Sequence, residues 1–127
     1  MTIPPALTSY FEHLAAGDFV RAAGCFTPKC FYSHPPYEPG AEGPLGRRVE
    51  ATSRAELRRL FELRGKRDWH HETRVSVAGQ RFFVEGAVRD GDGTLVLSYL
   101  SSGSVGESGL IERYVAYDSR PPVGQPL

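Results

Sequence analysis

The segment YFEHLAAGDFVRAAGCF, residues 10–26, encodes two short helices with a sharp break between them. Apolar residues in residues 4–16 recur at the spacing of one helix face, and this stripe consists of Leu7, Tyr10, Phe11, Leu14 and Ala15. Gly17 is expected to end the first helix, and Asp18 can cap a second helix that stops before Pro28. The sequence therefore predicts a pair of helices at the start of the chain.

The next segment, CFYSHPPY at residues 30–37, has the pattern of a strand that ends at a histidine. In an extended chain Tyr32 and His34 lie on the same face as Cys30, because side chains alternate between the two faces. The two prolines that follow remove backbone donors and end the strand. His34 is thereby placed near a sheet rim or the mouth of a cavity, where its ring either packs or takes part in chemistry.

The remainder of the chain predicts one more helix and four more strands. Residues 35–51 are rich in glycine and proline and are interpreted as a loop that can act as a lid over whatever His34 faces. A capping box of Ser53 and Glu56 starts the third helix, and Gly65 ends it. From Trp69 onward the apolar pattern changes to period two. The expected fold is α+β, a curved antiparallel sheet closed by three helices packed at one side.

The composition restricts the function classes. The 127 residues form one domain, 1–127, with an expected flexible tail at 119–127. The 15 basic and 15 acidic residues cancel, so we expect no nucleic acid and no membrane as partner. No run of about 20 apolar residues and no secretory signal is present, which predicts a cytoplasmic protein. The arginines of residues 47–67 alternate with glutamates and indicate a solvated helix face rather than a phosphate site.

Cys25 and Cys30 match neither a redox pair nor a zinc motif, and we expect two reduced core residues. His34, His71 and Glu85 have side chains of the types that bind zinc or iron, but no local spacing motif joins them. We therefore expect no metal and no cofactor.

The order helix, helix, strand, loop, helix and four strands resembles the cone-shaped fold of the nuclear transport factor 2-like superfamily, in its SnoaL-like and ketosteroid isomerase-like branch. The resemblance covers nearly the whole chain. Its most specific pieces are the opening segment, residues 10–26, and GLIERYVAYD at residues 109–118, which resembles the last strand of that group. The resemblance implies a cone that encloses an apolar pocket with a few polar groups.

The resemblance also implies catalytic positions. In the isomerase branch a tyrosine lies seven residues before the hinge glycine, where this chain has Tyr10. The catalytic base of that branch directly precedes a proline at the end of the first strand, where this chain has His34 in place of a carboxylate. The neutral acid of the branch falls near Ser101. Strand-level similarity places Glu85 inside, where it could orient His34 or act as an acid. The alternative is a solvated glutamate on the outer sheet face.

Several further side chains are expected to line the pocket. Either Tyr114 or Tyr117 could reach it, and the resemblance favours Tyr114. The expected lining residues are Tyr32, Phe61, Trp69, His71, Phe83, Ser101 and Tyr114.

Two functional hypotheses follow. The first is a SnoaL-like isomerase or cyclase that acts on a small apolar or carbonyl-bearing molecule. His34 would remove the proton α to the carbonyl, and Tyr10 would stabilise the enolate. The second is a non-catalytic module that binds a small ligand or a partner protein. Both include a homodimer packed through the sheet, since the face of the sheet without helices carries Val, Ile and Tyr.

Overall fold

The computed structural model describes residues 2–124 as three helices and a sheet of six strands. The helices are α1 (Pro5–Ala16), α2 (Phe19–Gly24) and α3 (Arg54–Arg64). The strands are β1 (Phe26–His34), β2 (Val49–Ala51), β3 (Trp69–Ala78), β4 (Arg81–Asp90), β5 (Leu95–Val105) and β6 (Ile111–Ser119). A single 3-10 turn, Pro44–Gly46, interrupts the segment between β1 and β2. The predicted α+β fold, a curved sheet with three helices, is confirmed.

The helix ends lie close to the predicted residues, because local chemistry fixes them. Gly17 follows α1 with a φ of 77°, a conformation that glycine adopts without steric cost. The Asp18 side chain accepts a hydrogen bond from the backbone N–H of Arg21 and caps α2. Ser53 caps α3 by accepting from the N–H of Glu56. The second helix ends at Gly24, so Cys25 lies just after it rather than within it.

The sheet contains one strand and one pairing that the sequence did not predict. Its strand order is β2-β1-β6-β5-β4-β3. The segment 35–51, interpreted as loop, ends in β2, which pairs antiparallel with β1 so that Val49 lies opposite His34. The pairing of β1 with β6 is parallel, whereas all other neighbouring strands are antiparallel. These two strands place Tyr32 opposite Tyr114, and His34 follows two residues after Tyr32 on the same sheet face.

The helices cover one face of the sheet and leave the other exposed. Helix α3 packs on β1 and β2, and α1 packs on β3. The core between them includes the fully buried side chains of Tyr10, Tyr32, Phe26, Phe61 and Phe82. We call the opposite side of the sheet the outer face; it carries Phe83, Glu85, Leu100 and Tyr117. Cys25 and Cys30 are buried and free.

The chain after β6 is packed against the sheet as far as the structure describes it. The backbone N–H of Val123 donates to the Ser98 hydroxyl over 2.9 Å, and this contact lies within residues 119–127, for which the sequence predicts a flexible tail. Residues 125–127 of that tail lie outside the described residues. None of the helices in residues 2–124 is long and apolar enough to cross a membrane.

Candidate functional site

A small cavity lies between the helices and the inner face of the sheet, beside the end of β1. Its volume is about 40 Å³. We call it the tyrosine cavity, and its walls include Tyr10, Tyr32, His34, Tyr37, Arg64, Trp69, His71, Tyr99, Tyr114 and Asp118. The structure therefore brings together six of the residues predicted from the sequence, namely Tyr10, Tyr32, His34, Trp69, His71 and Tyr114.

His34 is held in a defined neutral form. Its Nδ1 lies 2.7 Å from the carbonyl oxygen of Pro35. Because a carbonyl oxygen only accepts, Nδ1 carries the hydrogen, and Nε2 of the neutral ring is then an acceptor. Burial lowers the pKa of His34 to about 3, the hydrogen bond to Pro35 opposes this shift, and the positive charges of Arg64 and Arg48 add to it. The imidazole is consequently uncharged at neutral pH.

Aromatic rings surround His34 and connect it with α1. The ring of Tyr37 stacks on the imidazole with centroids 4.3 Å apart, and the ring of Tyr32 lies 5.9 Å away in a nearly parallel plane. Tyr32 stacks in turn on Tyr114 at 5.5 Å, and Tyr114 meets Tyr10 edge-on at 5.3 Å. The five rings form one continuous wall.

The hydroxyl groups of this wall are protonated donors at neutral pH. Burial is the main cause that raises the pKa of Tyr10, Tyr32, Tyr37 and Tyr114. The hydroxyls of Tyr32 and Tyr37 lie 2.5 Å apart and share a hydrogen bond. A phenol that stays neutral can donate to an oxygen that gains negative charge.

A second, half-buried histidine lies across the cavity. The ring of His71 packs against Phe11 at 5.7 Å and against Tyr99 at 5.9 Å. Burial is the largest cause that lowers the pKa of His71 to about 4, and the charge of Arg64 adds to it. Both histidines of the cavity are therefore neutral in the folded protein at neutral pH.

The segment between β1 and β2 supplies part of the cavity wall through Pro35 and Tyr37. We call residues 35–48 the covering loop. Tyr37 of this loop is only 3% exposed and lies directly on His34. The loop is attached to the chain after α3 by an ion pair of Glu38 with Arg67, whose Oε1 and Nη2 atoms are 2.9 Å apart. Tyr37 thus covers one face of the His34 ring.

Arg64 is a cavity residue that the sequence reasoning missed. Its side chain is on the last turn of α3, yet the residue is only 7% exposed, in contrast to the solvated helix face that was predicted. Its guanidinium lies over the rings of Tyr37 at 5.2 Å and Trp69 at 5.8 Å. The sequence did contain a signal that Arg64 faces inward. Phe61 follows Leu57 by four residues and Arg64 follows Phe61 by three, which is the spacing of one helix face.

Asp118 was also missed. It follows Tyr114 and Ala116 at strand spacing and lines the same cavity. Its Oδ2 lies 3.4 Å from Nε of Arg120, so its charge has a partner.

Four predicted residues do not line the cavity. Glu85 and Phe83 lie on the outer face, because β4 buries the more apolar phase formed by Phe82, Val84 and Val88. The prediction that Glu85 faces His34 is therefore wrong. Phe61 and Ser101 are fully buried, but they belong to the core next to the cavity and not to its walls.

Within residues 2–124, no group of three potential metal ligands is present.

Comparison with solved structures identifies the fold. An NTF2-like protein of unknown function from Cytophaga hutchinsonii ATCC 33406 superposes with a TM-score of 0.67, at 10% identity over 95% of this chain and 94% of that one. The chain has the nuclear transport factor 2-like fold. The fold that the resemblance implies is thereby confirmed.

Other structures with the NTF2-like fold carry names of enzymes. A "putative ketosteroid isomerase" from Kribbella flavida DSM 17836 matches with a TM-score of 0.67 and 19% identity over 98% of this chain and 81% of that one. The epoxide hydrolase/cyclase-like enzyme SalBIII matches with a TM-score of 0.67 and 17% identity over 91% of this chain and 89% of that one. No family model and no curated protein matches the chain.

Proposed function

We propose that this protein transfers a proton within a small carbonyl compound, with Nε2 of His34 as the proton acceptor. The observation that carries the proposal is the hydrogen bond of Nδ1 to the Pro35 carbonyl, which leaves the acceptor nitrogen of a neutral imidazole in the tyrosine cavity. Similar structures are named as an isomerase and as a cyclase-like enzyme, which supports this class of reaction.

The chemistry requires a base and a donor. Nε2 of His34 takes a proton from the carbon next to the carbonyl group, and the electron pair of the broken C–H bond moves onto the carbonyl oxygen. The enolate oxygen accepts hydrogen bonds from neutral tyrosine hydroxyls, for which Tyr10 is the proposed donor. The imidazolium then returns the proton to a different carbon, which completes an isomerisation without an external acid or cofactor.

The tyrosine cavity is smaller than most ligand-binding sites, which bears on the role of the covering loop. Sites for larger organic ligands have volumes of about 300–1,000 Å³, whereas the tyrosine cavity has about 40 Å³. A substrate therefore displaces Tyr37 on entry, or it is a molecule of few atoms. In the first case residues 35–48 act as the lid.

A non-catalytic ligand-binding module is the second candidate, and one observation favours it. A pKa of about 3 makes His34 a weaker base than an ordinary imidazole. In this case the tyrosine cavity would bind a small polar molecule without converting it.

Deuterium exchange into acetylacetone tests the two candidates. This small diketone has acidic α protons, and exchange is followed by proton NMR in deuterated buffer. We expect the wild-type protein to accelerate exchange and His34→Asn to lose about 100-fold of that acceleration. Tyr10→Phe should lose part of it. Glu85→Gln is the matched control, since its carboxylate lies on the outer face, and it should exchange at the wild-type rate.

Two results would contradict proton transfer. One is exchange by His34→Asn at the wild-type rate. The other is a wild-type rate no higher than that of buffer, with acetylacetone still binding, which would favour the non-catalytic candidate.

A further inference from the structure

The guanidinium of Arg64 has few partners in the described part of the chain. It carries five N–H groups, and its only hydrogen bond within residues 2–124 runs from Nη1 to the carbonyl oxygen of Gly65 at 3.0 Å. Its Nε is buried, and no acceptor among these residues meets it. No carboxylate of residues 2–124 lies within ion-pair distance of it.

The two carboxylates near the cavity already have cationic partners. Asp118 is paired with Arg120, and Glu38 is paired with Arg67. Helix capping accounts for one N–H of Arg64, because Nη1 binds the carbonyl of Gly65 where α3 ends. Capping does not account for the buried Nε. A cation at this depth without an anion is unfavourable, so the charge favours an anionic group beside it.

The free space next to Arg64 fits a small anionic group. About 10–15 Å³ of such volume holds one water molecule, so the 40 Å³ of the cavity accommodates about three atoms of that size. A carboxylate has three heavy atoms, and a guanidinium binds it through parallel N–H groups. The rings of Tyr37 and Trp69, on which the guanidinium lies, fix its plane.

The geometry points to a carboxylate-binding position at Arg64, and hence to a small oxo acid as the ligand of the tyrosine cavity. The carboxylate pairs with the guanidinium and fills the free space, and the carbonyl group lies among the tyrosine hydroxyls and His34 once Tyr37 has moved aside. The oxo group rests on the proposed function, whereas the carboxylate position rests on Arg64 alone.

Two compounds of equal length test the position. Acetoacetate carries a carboxylate where acetylacetone carries an acetyl group, and both are titrated into ¹⁵N-labelled protein in chloride-free buffer. We expect the wild type to bind acetoacetate about tenfold or more tightly than acetylacetone. The Nε–H signal of Arg64 should shift with acetoacetate only.

Substitutions on one helix separate the position from general charge effects. Arg64→Met should abolish the preference for acetoacetate, and Arg64→Lys should restore part of it. Arg58→Met is the matched control, because Arg58 lies on the exposed side of α3 and pairs with Glu62, and it should keep the preference. If Arg64→Met does not fold, the wild-type Nε–H shift and Arg64→Lys decide alone.

Equal binding of the two compounds by the wild type would overturn the inference. An unchanged preference in Arg64→Met would do the same. These results are independent of the exchange assay, since proton transfer to acetylacetone can depend on His34 even when acetoacetate has no advantage.

Discussion

Acidification should destabilise this protein through the two half-buried histidines of the cavity, His34 and His71, and replacement of one should remove about half of the loss of stability. In the unfolded chain a histidine has a pKa of about 6.5. In the folded protein burial lowers the pKa of His34 to about 3 and that of His71 to about 4. Below about pH 6.5 the unfolded chain thus binds protons that the folded chain does not, and stability is lost as the pH falls towards the folded pKa values.

The magnitude follows from the pKa differences. Between about pH 7 and about pH 5, each of the two histidines would lower the free energy of unfolding by about 2 kcal/mol. Both side chains keep some exposed surface, and solvent screening reduces the effect to between about 1 and 2 kcal/mol each. His34→Asn retains a donor for the Pro35 carbonyl but cannot titrate. On acidification this variant should therefore lose only the stability that His71 contributes.

Urea unfolding at the two pH values measures this difference. The wild type, His34→Asn and His71→Asn are compared with His70→Asn, in which both cavity histidines remain. His70 is exposed and lies next to His71 on the opposite side of β3, so its variant should lose as much stability as the wild type. A loss in His34→Asn equal to that of the wild type would refute the argument that His34 is neutral because it is buried.

Three further predictions concern the packing around the cavity and the outer face of the sheet. Gly86→Ala should lower the free energy of unfolding by about 1–3 kcal/mol in a urea titration, because the new Cβ would collide with a backbone carbonyl and with the Tyr99 ring; stability equal to the wild type would count against the close packing of Tyr99. Glu38→Gln removes a partly exposed ion pair and should change the free energy of unfolding by less than about 1 kcal/mol. Acrylamide quenching of Trp69, the single tryptophan, should increase in this variant because the covering loop opens more often. Unchanged quenching would speak against the lid. We expect a homodimer through the outer face, where Leu100 is 51% exposed, and Leu100→Lys should convert it to monomer in sedimentation; a monomeric wild type would exclude it.

Features set by neighbouring residues could be predicted from the sequence. The caps at Asp18 and Ser53 depend on side chains and N–H groups three residues apart, so their motifs are visible in the chain. The position of His34 at the end of β1 follows from strand parity and from the prolines after it.

Features set by contacts between distant parts of the chain could not be predicted from the sequence. Both phases of β4 contain apolar residues, and only packing against the helices decides that Glu85 faces outward. The strand β2 has three residues, too few for a periodic pattern, and it exists because it pairs with β1. Arg64 was interpreted as solvated because the arginines of residues 47–67 alternate with glutamates, although its position on α3 indicated the inner face.

The state of the His34 ring tests the central claim most directly. The ¹⁵N chemical shifts of the two ring nitrogens distinguish the tautomers and the charged form. We predict a neutral ring with the hydrogen on Nδ1, bonded to the Pro35 carbonyl, that does not titrate between about pH 7 and about pH 5. A ring with the hydrogen on Nε2, or one that becomes charged near pH 6, would contradict the account.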